Sequence, residues 1–143
     1  ANIVPDSFKT DLLGGVFEFD SSGGSTFKLA LYTDISGFST STTAYTTTNE
    51  VSSSGTNYTA AGNTLTNNGV SIASNIGFVD FADLTFSSVT LTADSALIYK
   101  SGGSNEAVLV LDFGGDKTAT NGDFVIQFPA ADSTNAIIRL GDA

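Results

Sequence analysis

The stretch Ala107-Val108-Leu109-Val110-Leu111 is apolar at every position, so a strand built from it has no face fit for water. Side chains alternate across a strand, and an apolar run without alternation marks one covered on both sides. This strand is expected at the centre of a sheet. Working outward, Phe124, Ile126 and Phe128 show the alternation of a half-buried strand, which Pro129 ends because proline cannot donate to the ladder. Phe27, Leu29 and Leu31 repeat the same period, as do Phe17 and Phe19 before them, with Asp20 to Gly24 as a hairpin turn. Further strands are expected at Val70 and Ile72, Phe78 to Phe81, Val89 and Leu91, Ala96 to Tyr99, and Ala136 to Leu140.

Short strands punctuated by turn residues point to an all-β chain, an antiparallel β-sandwich or flattened barrel. Packing sheet on sheet buries the odd-numbered face of the Phe27 strand and the even-numbered face of the Phe124 strand. From Asp34 to Asn68 the chain is rich in Thr, Ser, Asn and Gly, with Tyr45, Val51, Tyr58 and Leu65 as spaced apolar anchors. It reads as a long excursion with short edge strands.

The clear helical signal lies between Pro5 and Leu13: Pro5 and Asp6 at the start, Phe8 and Leu12 four apart, Gly14 and Gly15 at the stop. So short a helix must dock on something to persist. Ile3, Val4, Phe8, Leu12 and Leu13 offer more apolar surface than two turns can hide, and they are the candidate partner-binding residues. They need either a sheet face of the same subunit or a partner; the favoured reading takes residues 1–15 as an attachment arm able to pivot at Gly14-Gly15, and residues 16–143 as one β core.

Composition narrows the chemistry. The 143 residues suit one domain, and a hydrophobic share of 41% against 14% charged argues for a packed core and against disorder. A net charge of −10 repels nucleic acid and anionic membrane surfaces, and no run approaches the roughly 18 apolar residues of a spanning helix. Cysteine and histidine are both absent, which removes disulfides, thiolate metal sites, a cysteine nucleophile and a Ser-His-Asp triad. The first residues show no secretory signal, and Ala1 reads as following a removed initiator methionine.

Two carboxylate groupings remain. Asp80 and Asp83 lie close enough to suggest a hydrolase pair, yet neither tryptophan nor an obvious aromatic cleft accompanies them. Asp112 to Asp123 gathers three Asp and an Asn in a Gly-rich segment, but the spacing departs from an EF-hand and the segment is expected to be a plain turn. Tyr32, Tyr45, Tyr58 and Tyr99 could form a stacking platform, but the acidity argues against single-stranded nucleic acid and wall or interface positions suit them better; a carbohydrate-binding module would need a groove lined by Tyr32, Tyr45 or Tyr58. No catalytic residue, cofactor or metal is expected.

The segments ANIVPDSFKTDLLGG, FKLALYT, TAYTTTNEV, YTAAGNTLTN, FVDFADLTF, ALIY, VLDFGGDKTATNGDF and AIIRL, in this order, resemble a group of small structural proteins of tailed-phage virions. The resemblance implies a non-enzymatic virion component, a capsid decoration (cement) protein on the outside of the shell that bridges subunits of the major capsid protein. A homotrimer is the preferred state, because sites on viral shells commonly have threefold symmetry. A tail or fibre component is the alternative within the same class.

Overall fold

The computed structural model describes residues 1–142. Within them a helix, α1 (Asp6–Leu13), precedes the strands β1 (Phe27–Tyr32), β2 (Asn63–Thr64), β3 (Asn67–Ala73), β4 (Ile76–Phe81), β5 (Leu84–Lys100), β6 (Ala107–Ile126) and β7 (Ile138–Leu140). The strands form two antiparallel sheets, ordered β2-β1-β5-β6 and β3-β4-β7, and neither closes into a barrel. The all-β sandwich expected from the sequence is what forms.

Its largest part is the hairpin of β5 and β6, 17 and 20 residues long. Near the turn, Ala96 to Tyr99 and Ala107 to Leu111 are buried on both faces. Farther out, Phe86, Val89, Leu91 and Ala93 are buried while the threonines between them are exposed, so there only one face is covered. Toward the small sheet, Phe27, Leu29 and Leu31 meet Val79, Phe81 and the buried even-numbered residues Phe124, Ile126 and Phe128. On the opposite side Ala30, Tyr32, Leu97 and Tyr99 pack under Phe38 and Tyr45, so the Thr-rich excursion serves as a third layer.

The structure corrects the sequence reading at three places. First, the Ala107 strand is not central: β6 is an edge, and β1 and β5 hold the middle. Its double-sided burial arises because the main core takes Val108, Leu109 and Leu111 while the layer of Phe38, Ile3 and Tyr45 covers Ala107 and Val110, and chain segments also cap the edge itself. Val110 exchanges backbone bonds with Ile3, and the Ala107 N–H donates to the Thr43 carbonyl at 3.0 Å. Second, Asp112 to Asp123 is not a turn but part of β6. The register jumps from Ser95 opposite Asp112 to Ala93 opposite Lys117, so Phe113 to Asp116 bulge out, with Gly114 and Gly115 at φ 74 and 135°. Glycine marks a bulge as readily as a turn. Third, Phe17 and Phe19 belong to no ladder strand. They are buried as an aromatic wall, with Phe17 5.1 Å from Phe8 and Phe19 stacked on Phe27 at 4.7 Å between ring centroids. The Asp20 to Gly24 turn is closed by Ser25 N–H donating to the Glu18 carbonyl at 2.8 Å, without joining two ladder strands.

The excursion runs with few ladder bonds: a 3-10 turn at Ile35–Gly37, single bridges from Tyr32 to Glu50 and from Ala44 to Glu106, and the two-residue β2. Val51, Tyr58 and Leu65 anchor it in the main core, as their spacing led one to expect. It presses closest at Gly62, where a Cβ would lie 1.8 Å from the Leu29 carbonyl oxygen.

Candidate functional site

The N-terminal segment is built in three parts. Ile3 pairs with the outer edge of β6 at Val110. Pro5, extended at φ −60° and ψ 144°, starts α1 without a side-chain cap, and Asp6 in the first turn suits the helix dipole. The periodicity of the helix then sends Phe8 inward, half-buries Leu12 and turns Leu13 outward. Of the five candidate residues, Phe8 is the one buried in its own subunit's core, where it packs against Phe17 and also lines the groove beside α1. Val4 and Leu13 are open, 42% and 89% exposed.

A groove of about 500 Å³ lies beside them, where α1 meets β6 and β7. Val4, Leu12 and Leu13 line one wall, Leu109 the floor, and Ile138 and Leu140 the other wall. Leu140 is itself 61% exposed. The Lys9 ammonium, bonded to Asp6 at 2.9 Å, and Arg139 stand at the rim. Helical spacing in the sequence points to the first wall, whereas the wall of Ile138 and Leu140 forms only because β7 joins the small sheet beside α1.

The four tyrosines do come together, but not as a groove. Tyr58 donates to Glu50 Oε1 at 2.9 Å and Tyr45 to Oε2 at 2.6 Å, and the Ala61 N–H adds a third bond to Oε1 at 2.6 Å. Tyr58 also accepts from the Leu31 N–H at 3.0 Å, Tyr99 donates to the Ala61 carbonyl, and Tyr32 to the Thr46 carbonyl. Tyr32, Tyr58 and Tyr99 are buried. Burial first, and the Glu50 charge after it, pushes the Tyr99 phenol up to about 12. This cluster ties the excursion to the sheet and offers no face on which a sugar could stack. Glu50 is the member that no motif announced, although it is the single charged residue between Asp34 and Asp80.

Neither carboxylate grouping is arranged as a paired site. Asp80 is 2% exposed; its Oδ1 accepts the Phe81 N–H, while Oδ2 has no partner in hydrogen-bond geometry. Burial raises its pKa, with nearby Phe81 and Ile137 N–H groups opposing part of that rise. Asp83 instead accepts the Phe128 N–H at 2.8 Å, so the pair does not flank an open cleft. Asp112 is held below the usual carboxylate range by the Ala1 amino group and the Gly114 N–H. Asp123 accepts from the Ser88 N–H at 3.3 Å. No group of three or more acidic side chains is gathered among the described residues.

Compared with protein-family models, with curated proteins and with solved structures, the chain matches none.

Proposed function

We propose that this is a non-enzymatic structural protein of a tailed-phage virion, a decoration protein that seats on the outside of the capsid and bridges subunits of the major capsid protein. The observation that carries the reading is the apolar groove between α1, β6 and β7, with Val4, Leu13 and Leu140 exposed around it. Large exposed aliphatic side chains beside a concave floor favour burial against another protein. A docked helix holds them in place, which lowers the ordering cost of binding. The net charge of −10 favours a protein partner over nucleic acid, and the segment-by-segment resemblance supplies the virion.

The test is rebinding of purified protein to particles stripped of it, scored by co-sedimentation and by immunolabelling. The wild-type chain is expected on the head, and Leu13→Ser with Leu140→Ser is expected to lose binding while keeping its melting temperature. Labelling confined to the tail would move the protein to the tail or fibre. Full binding by the double variant would sink the groove as the contact.

A further inference from the structure

We infer that β3 is a self-association edge, at which two copies of this chain pair their β3 strands antiparallel about a twofold axis. This goes beyond the decoration reading and does not depend on a capsid.

The turn of the β3–β4 hairpin sets which main-chain groups face outward. Ser74 and Asn75, at φ 52 and 65°, form a two-residue turn closed by Ala73 opposite Ile76. In such a hairpin the closing pair exchanges both backbone bonds, and bonded pairs recur at every second position. Ala73 and Ser71 thus turn their main-chain groups toward β4, which leaves those of Val70 and Ile72 pointing away from it. No strand lies on that side among the described residues. The side chains of the same two residues are 60% and 77% exposed.

Natural sheets blunt such an edge with a lysine, a proline, a bulge or a very short strand. The opposite edge of this sheet follows that rule: β7 is three residues long with Arg139 in its middle. β3 has its bulge only at the base, between Asn67 and Val70, and its outer half is regular.

Self-complementarity points to a second copy as the occupant, and the local lack of charge permits it. Copies that each carry −10 repel one another, and they can approach most closely where neither bears charge. No charged residue occurs between Glu50 and Asp80, a stretch that includes the whole outer hairpin. A strand edge is also complementary to itself under a twofold axis. With the axis at Ser71, Val70 of each copy bonds to Ile72 of the other, and their β-branched side chains meet across the new ladder. The contact is twofold, unlike the threefold arrangement that shell symmetry suggests.

Because the chain contains no cysteine, Ser71→Cys gives a clean reporter. It would face its own copy in a non-bonded pair, where strands lie close enough for a disulfide. The expected results are rapid cross-linking at S71C but not at the exposed control S54C, and wild-type dimers by analytical ultracentrifugation that strengthen with salt as repulsion is screened. V70K/I72K should sediment as single copies with an unchanged melting temperature, while V70T/I72T keeps the dimer in part. A wild-type chain that stays single at every concentration, a dimer indifferent to V70K/I72K, or equal cross-linking at both sites would each overturn the inference. So would pairing of this edge with a capsid strand while the free copies remain single.

Discussion

Ile3 and Val110 exchange two backbone hydrogen bonds, each 2.9 Å long, so the first residues of the chain act as a short strand on the outer edge of β6. That pairing, followed by the burial of Phe8 against Phe17, Phe19 and the sheet, docks a segment that the sequence reading let pivot at Gly14-Gly15. Phe8→Ala should cost about 3–5 kcal/mol, the usual loss for a buried aromatic truncated to alanine. Removal of residues 1–13 should uncover the β6 edge and give aggregating protein in size-exclusion chromatography. A truncated chain that remains monodisperse with the wild-type denaturation midpoint would show that the segment contributes little to the core.

Gly62 and Gly55 separate two causes of glycine dependence. Both sit at positive φ, 80 and 72°, but only at Gly62 would a Cβ strike backbone, whereas Gly55 has open space. Gly55→Ala should cost about 1–2 kcal/mol from left-handed strain alone. Gly62→Ala should exceed that clearly, because the excursion must lift from β1. Urea titrations of the two variants decide it; equal losses would mean that the Leu29 contact yields.

Alkaline pH should unfold the protein through its tyrosines. The Tyr99 phenol moves from an ordinary 10.0 to about 12 in the folded chain, chiefly by burial, and Tyr32, Tyr45 and Tyr58 move in the same direction. A folded-state pKa raised above the unfolded one gives stability that is complete below 10 and lost as pH climbs through about 12 for Tyr99. The urea midpoint should show no tyrosine-dependent fall between pH 7 and 9 and should drop steeply above 10. At neutral pH, Glu50→Ala should cost about 1–3 kcal/mol by stranding its donors.

Asp80→Asn should stabilise the protein at pH 7, since it removes a buried charge that the site does not pair. The sign with pH is distinctive. Because burial raises the Asp80 pKa, the wild-type chain recovers this loss as pH falls toward the ordinary value of 3.8. The gap in melting temperature between variant and wild type should therefore close on acidification. A gap constant from pH 7 to 4 would show that charge is not its cause.

Much of this architecture is legible in the residues. The helix from Asp6 to Leu13 and the inward faces of the Phe27 and Phe124 strands follow from spacing alone, because burial on one side imposes a period. What spacing cannot convey is continuity. Val89-Leu91 and Ala96–Tyr99 look like separate strands, yet Thr92, Ala93, Asp94 and Ser95 between them continue β5 without a break. The same applies to Asp112 to Asp123, where glycines that resemble a turn make a bulge. Nor does burial on both faces imply a central strand, since layers can cover both faces of an edge strand, as the main core and the excursion do for β6. As for the candidate site, Leu13 was readable as surplus apolar surface, but its facing wall at Leu140 depends on where β7 closes the small sheet.

The Glu50 cluster also has an optical consequence. The chain contains no tryptophan and four tyrosines, so its ultraviolet emission is tyrosine emission alone. Two of those phenols donate to one carboxylate, an arrangement that drains the excited state through proton transfer. The folded protein should be dim and the unfolded chain brighter, as the phenols are released from their buried hydrogen bonds. Glu50→Gln should brighten the folded state without a dye or an added label.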